Sequence, residues 1–284
     1  MMTTDGDVSA RERAEESAAS IGGNLAGHVA IVELLRAQQR VPSRSRVARV
    51  FGLSPLSTET HAMYRGVVGE IEVGEALDRL GPEWGVLHAL PVDVGSADID
   101  HLVIGPAGVF IVMTKNHSGF NVWASQRTFM VAGIRFPHIR DIESEMGRAE
   151  RILSSASGRQ VEVAGILAVV APKSLVVRER HRDVAVLAAN TVVPWLLRHT
   201  RSLEPAEVSV ITAAAARAST WYPADEQSGQ PESVRQSFEE LRMEVRKAWR
   251  TQRGWAIGIS ILGIGSFAAI TYSILMNALG SFGP

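Results

Sequence analysis

The chain has 284 residues, no cysteine and a formal net charge of −1. Such a length can form one substantial core with additional segments. The lack of cysteine excludes disulfides, thiolate metal sites and thiol nucleophiles. The balanced charge excludes the overall basic character of many nucleic-acid-binding proteins, although a local basic groove stays open.

Residues 1–60 are expected to form a polar N-terminal segment. The first 25 residues or so are small and polar, and we expect them to be partly disordered and not a secretory signal. Apolar residues at helical spacing predict a short amphipathic helix over about 25–39. A basic, proline-containing connector follows, with Arg44, Arg46 and Arg49. It is either a solvated linker or a contact for phosphate or anionic lipid.

Residues 61–222 are predicted to form the main domain. A helix is expected over about 60–80, followed by a strand near 86–92 and a strand at 120–124. The stretch 129–136 should form a short strand pair that turns at Ala132-Gly133. The later part predicts a helix over 140–157 that ends at Gly158, strands at 161–170 and 184–188, and helices over about 191–200 and 204–218. This order predicts an α/β (α+β) fold with a mixed central β-sheet flanked by helices.

The chain is organised around a β-hairpin between Ser96 and Gly119. Two apolar runs flank the turn Gly105-Pro106-Ala107-Gly108. If Ile104 pairs with Val109, strand alternation places Asp100 opposite Met113 and Asp98 opposite Lys115. Two carboxylates and one ammonium then gather in an apolar sheet, where charges are costly unless they are paired or used. His101 falls on the other strand face and is more often a packed, hydrogen-bonded residue than a base.

The C-terminal part predicts a membrane anchor. Residues 223–253 read as a polar linker and a charged helix that ends in a basic cluster, and residues 254–284 contain no charged residue. The segment 254–280, with its apolar run at 255–279, is long enough to cross a hydrocarbon layer of about 30 Å. The basic cluster places residues 1–253 in the cytoplasm and the tail 281–284 outside, in a single-pass protein of the cell membrane. Gly258, Gly263 and Gly265 favour self-association of the span.

The helix and hairpin together resemble the nuclease-related domain, NERD, which is itself related to the PD-(D/E)xK nuclease superfamily. The resemblance is carried by Gly69-Glu70, Val73-Gly74, the run Asp98-Ile99-Asp100-His101, Gly105-Pro106, Gly108-Val109-Phe110 and Thr114-Lys115-Asn116. It covers roughly residues 65–121 well and extends more loosely to about 221. As a combined pattern it is specific, whereas any one piece would be weak.

The resemblance implies a restriction-endonuclease-like core with a divalent-metal site that acts on DNA or RNA. It implies catalytic roles for Asp100, Lys115 and Glu70, and Mg²⁺ binding by Asp100, Glu70 and Asp98. The chain departs from the family at Met113, where the E-x-K motif has a glutamate. A thioether is a poor ligand for a hard cation, so the expected Mg²⁺ site is weakened.

Three functions follow as hypotheses. The first is a membrane-anchored, Mg²⁺-dependent phosphodiesterase that acts on nucleic acid. The second is a catalytically inactive NERD module that binds nucleic acid or a protein partner at the membrane, as Met113 suggests. The third is a scaffolding protein whose span associates with other copies.

Overall fold

The structure is a computed structural model that describes residues 25–90, 98–221 and 231–280, with side chains omitted at 231, 261–269 and 272–280. The chain divides into two compact units. The first comprises residues 1–34 and 62–235, and the second comprises residues 35–61 and 236–284.

The described part contains seven α-helices and nine β-strands. The helices are α1 (His28–Gln38), α2 (Arg46–Val50), α3 (Thr58–Leu77), α4 (His138–Ser157), α5 (Val192–Arg198), α6 (Pro205–Ala216) and α7 (Pro231–Gly280). The strands are β1 (Gly85–Leu90), β2 (Ile99–Gly105), β3 (Gly108–Asn116), β4 (Asn121–Ala124), β5 (Phe129–Val131), β6 (Ile134–Phe136), β7 (Val163–Val170), β8 (Ser174–Val177) and β9 (Val184–Ala188).

The core of the first unit is a five-stranded sheet in the order β1-β2-β3-β7-β9. β2 is antiparallel to both of its neighbours, β1 and β3, whereas β7 is parallel to both β3 and β9. The predicted mixed sheet is therefore confirmed. β7 is buried along almost its whole length, which agrees with its reading as a strand covered on both faces.

The hairpin has the predicted register near its turn. Ile104 pairs with Val109, and the two-residue connection brings Gly105 opposite Gly108, whose φ of +129° suits glycine. The paired register ends at His101 and Val112. β2 begins at Ile99, so Asp98 precedes the strand, and the paired register contains neither of the predicted pairs, Asp100 with Met113 and Asp98 with Lys115.

Helices cover both faces of the sheet because side chains alternate along each strand. The face with Leu102 and Ile111 packs against Ile142 of α4 and Ile211 of α6. The opposite face, with Val103 and Phe110, packs against α3 and α5 through Val73, Leu77, Val192 and Leu196. Sites at the sheet ends therefore receive side chains from α3 on one face and α4 on the other.

A second, four-stranded sheet has the order β6-β5-β4-β8. The predicted pair at 129–136 is confirmed as β5 and β6, and it turns at Ala132-Gly133. The sequence analysis missed β8, which pairs in parallel with β4. Its four residues show no alternation of buried and exposed positions, so no local pattern marks it.

In the second unit, α2 and the residues next to it contact α7. Trp255 Nε1 donates a 2.8 Å hydrogen bond to the Val50 carbonyl, and its ring lies 5.2 Å from that of Phe51. Arg44 forms a 3.5 Å ion pair with Glu244. The basic connector is thus not only a solvated linker, since it contains a short helix that Ser45 caps.

The charged helix predicted after residue 233 is present in α7, which continues to Gly280. Among the residues that the structure describes, no helix is long and apolar enough to cross a membrane. The predicted span at 254–280 thus receives no support there. Most of its side chains, at 261–269 and 272–280, lie outside the described residues, as does the tail 281–284.

Candidate active site

Asp100 and Lys115 come from neighbouring strands at one end of the central sheet. The Thr114 amide donates a 2.6 Å hydrogen bond to Asp100 Oδ2, which ties the β2 carboxylate to β3 just before Lys115. Burial raises the pKa of Asp100, while Lys115 and this hydrogen bond lower it. The two predicted residues are therefore close enough to interact electrostatically.

Glu70 reaches the same place from α3. The pKa of Glu70 is raised to about 9, mainly by burial and by the nearby Asp100. Asp98 and Glu33 also contribute to this increase, and Lys115 opposes it. The structure thus brings together the four predicted residues, namely Glu70, Asp98, Asp100 and Lys115.

Asp98 lies at the outer side of this group. Burial raises the pKa of Asp98 to about 6, with contributions from Glu33 of α1 and from Asp100. Lys115 is not among the groups that shift the Asp98 pKa, and the described residues contain no ion pair between the two. Asp98 and Lys115 therefore do not form an ion pair in the described part of the chain.

Glu145 is a site residue that the sequence analysis missed. It lies on α4, and only 5% of its surface is exposed. The pKa of Glu145 is raised to about 8, mainly by burial. Asp100 contributes to this increase, whereas Lys115 and Arg148 oppose it. A signal was present, because Ile142, Glu145 and Ala149 follow helical spacing along one buried stripe.

Two histidines lie beside Lys115. The His117 and His138 rings stack with centroids 5.6 Å apart, next to Phe129 and Phe136. Burial, Lys115 and His117 lower the pKa of His138 to about 3. Buried ring nitrogens of both histidines make no hydrogen bond within the described part. His138 Nδ1 lies 3.9 Å from Asp141 Oδ2, and these nitrogens are shielded from solvent, so a ligand could reach them only if the rings turned.

Hydrogen bonds of Arg65 connect the first half of α3 to the end of β3. Asn116 Nδ2 donates a 2.7 Å hydrogen bond to the Arg65 carbonyl, and the Arg65 guanidinium donates to Asn116 Oδ1 and to the Ser118 carbonyl. The Ser118 hydroxyl donates to Asn116 Oδ1 at 2.6 Å. This network fixes the helix that carries Glu70 relative to the strand that carries Lys115.

A chain of polar groups runs behind Asp100 on the opposite sheet face. His101 is fully buried, its Nδ1 lies 2.8 Å from His88 Nδ1, and its Nε2 lies 3.4 Å from the Thr114 hydroxyl. His88 Nε2 lies 3.0 Å from Asp78 Oδ1. The prediction that His101 is a packed, hydrogen-bonded residue on the other face is confirmed. Its partner His88 was not foreseen.

Residues 65–170 match the family model of the nuclease-related domain, NERD. The NERD match contains all four predicted site residues as well as Glu145, and it confirms the resemblance read from the helix and hairpin. It ends at the last residue of β7, short of the looser limit near 221. No curated protein and no solved structure matches the chain.

The residues at this site suit a divalent cation by donor type. Glu70, Asp98, Asp100 and Glu145 supply carboxylate oxygens, and burial is the main cause that raises the pKa of each of them. Within the described ranges, no three His, Asp or Glu side chains are already arranged to hold a metal. Mg²⁺ commonly takes only one or two carboxylates and completes its shell with water and substrate phosphate, so the donor set fits.

Proposed function

We propose that the chain is a membrane-anchored, divalent-metal-dependent phosphodiesterase that acts on nucleic acid. Asp100, Glu70 and Asp98 would hold Mg²⁺, and Asp100, Lys115 and Glu70 would carry the reaction. The observation that supports this most is the meeting of these carboxylates with Lys115 at one sheet end inside the NERD match.

The chain's own residues have separable tasks in this proposal. When bound, the cation would polarise the phosphate and lower the pKa of a water molecule. Lys115 would place a positive charge beside the phosphate oxygens, where charge increases in the transition state. The hydrogen bond from the Thr114 amide holds Asp100 in place and favours its ionised form.

Cleavage by the purified full-length protein tests the proposal. Single- and double-stranded DNA and RNA are incubated with Mg²⁺, Mn²⁺ or a chelator. Cleavage should require the metal, and Lys115→Ala or Asp100→Asn should reduce it by about 100-fold or more, as expected for loss of a group that stabilises the transition state. Lys173→Ala, which changes a lysine outside the NERD match, is the control. Equal cleavage by Lys115→Ala and the parent would refute the assigned role.

The alternative function is an inactive NERD module that binds nucleic acid or a protein partner. Two observations favour it: Met113 is 4% exposed within the hydrophobic core, and no ready-made three-ligand group exists among the described residues. In the same assay, nucleic-acid binding at low salt without cleavage would support this alternative. Absence of both binding and cleavage would leave only a protein-partner role.

The anchoring part of the proposal rests on composition. The uncharged stretch 254–280 follows the basic cluster Arg242, Arg246, Lys247, Arg250 and Arg253, which favours a cytoplasmic location for residues 1–253. Extraction of membranes with alkaline carbonate should leave the protein in the pellet, and protease added to intact cells should spare residues 1–253. Release by carbonate would contradict the anchor. Crosslinking in lipid tests self-association through Gly258, Gly263 and Gly265.

A further inference from the structure

Glu145 is a buried acid without a partner. It is 95% buried by surface area, and no hydrogen bond or ion pair engages its carboxylate among the residues that the structure describes. Arg148 is near enough to lower its pKa, yet the buried Nε of Arg148 also lacks a hydrogen-bond partner. A carboxylate left in such a place costs stability unless another group satisfies it.

The position of Glu145 is set by the packing of α4. Ile142 and Met146, three residues before and one after Glu145, belong to the same hydrophobic cluster as Met113. Their side chains lie so close to Gly165 of β7 that a Cβ there would be 2.8 Å from Met146 Sδ. α4 is thus held directly against the face of the sheet that carries Met113 and Lys115.

The position at which the family motif has a glutamate lies on this face of β3 and is occupied by Met113. Met113 stands two residues before Lys115, so both side chains project to one side of β3. Met113 offers no oxygen to a hard cation. Asp100 and Lys115 are the two charged groups of the sheet that shift the pKa of Glu145, so they lie near it. The carboxylate missing from the strand is therefore available from the helix that packs over it.

We propose that Glu145 is a ligand of the divalent cation at this site and takes the place of the carboxylate that Met113 does not provide. The inference rests on the proposed function, since it assumes that Asp100 binds a cation. The ligands of the cation would then come from three elements, with Asp100 on β2, Glu70 on α3 and Glu145 on α4, rather than from the hairpin alone. The loss of the strand glutamate then leaves the site able to bind metal.

Mn²⁺ binding to the full-length protein, measured by titration calorimetry and by the rise in Tm, tests the inference without relying on cleavage. Glu145→Gln should weaken Mn²⁺ binding by about tenfold or more, as expected for loss of a metal-site group. Glu150→Gln makes the same change five residues later on α4 and should leave binding unchanged. Adding Met113→Glu to Glu145→Gln should restore affinity, because it returns a carboxylate to the strand. Circular dichroism of each metal-free variant verifies folding.

The outcomes separate the two proposals. If Asp100→Asn weakens Mn²⁺ binding and Glu145→Gln does not, the role of Glu145 is refuted and the proposed metal site stands. If Glu145→Gln weakens binding but Met113→Glu fails to restore it, the exchange between helix and strand is refuted. If the parent protein binds no Mn²⁺ at all, both proposals fail.

Discussion

The Nδ1 atoms of His88 and His101 lie 2.8 Å apart, which requires that one carries a proton and the other accepts it. His88 Nε2 faces the Asp78 carboxylate, so it carries a proton. Burial and His88 lower the pKa of His101 well below its usual value, so His101 is neutral. When His88 carries no second proton, His101 Nδ1–H donates to His88 Nδ1, and His101 Nε2 accepts from the Thr114 hydroxyl.

This arrangement predicts two different tautomers in one protein. Nitrogen–proton NMR correlations above about pH 7.5 should show His88 protonated at Nε2 and His101 at Nδ1. His61 is an exposed histidine and serves as a reference for an unconstrained ring. Removal of Asp78 by Asp78→Asn should disturb the His88 signals first. Observation of the Nε2 tautomer on His101 would contradict the assigned direction of the chain.

Stability of the metal-free protein should fall as pH rises from about 7 to about 9. The folded state keeps protons on Glu145 and Glu70, whose pKa values are about 8 and about 9, whereas the unfolded chain releases them near the ordinary glutamate value of 4.5. The stabilising effect of these protons is lost as pH passes through the folded values. The free energy of unfolding should decrease by on the order of 1 kcal/mol per pH unit.

The histidines explain why the pH window begins near neutrality. His138 and His117 have lowered pKa values, so their contribution is lost as pH falls below their ordinary value of 6.5 and is constant above it. Urea unfolding at several pH values measures the slope. Glu145→Gln and Glu70→Gln should each flatten it, and Mn²⁺ should reverse it. A slope that survives in both variants would contradict the assignment.

Met113→Glu should destabilise the metal-free protein by about 2 kcal/mol or more at pH 8, because it places a carboxylate in a nearly dry position beside Asp100. Mn²⁺ should recover much of that loss, since the new oxygens can bind the cation. Met113→Leu keeps an apolar side chain of similar volume and should cost less than about 1.5 kcal/mol. Urea unfolding with and without Mn²⁺ distinguishes the two variants, and an equal response to the metal would argue against a cation at this position.

Two glycines of α3 should respond oppositely to alanine. A Cβ at Gly74 would overlap the Cβ of Ala26 and lie 3.3 Å from the His101 ring, so Gly74→Ala should destabilise by about 1–3 kcal/mol. A Cβ at Gly66 would meet nothing within 4 Å. Gly66→Ala should therefore stabilise the same helix by up to about 1 kcal/mol. Urea unfolding measures both, and loss of stability in Gly66→Ala would contradict the packing described for α3.

The sequence was sufficient for the hairpin and its neighbours because their signals are local. The pairing of Ile104 with Val109 that we assumed across the turn is the observed one, and Gly158 ends α4 as predicted, in a left-handed conformation. β8 was missed because its pairing depends on β4, about 50 residues earlier along the chain. Periodicity within one segment carries no information about such a partner.

The same reasoning could identify only some of the residues at the candidate site. Asp100 and Lys115 stand out because charges are rare in buried strands. Glu145 gives a weaker signal: it lies on the buried stripe of α4, but that helix also carries many charged residues that are exposed or half-buried. His88 likewise gives no local sign of the polar chain that it forms with His101. Both depend on which surfaces of separate elements meet, and that is a tertiary property.

The two edges of β3 are supported unequally beside Lys115. Backbone pairing with β2 ends at Val112, whereas pairing with β7 continues to Asn116. On the β2 side the Thr114 amide donates to the Asp100 carboxylate, so a side chain there takes the place of a backbone acceptor. Movement of Asp100 would leave that amide without its acceptor, which couples the position of the carboxylate to the backbone next to Lys115.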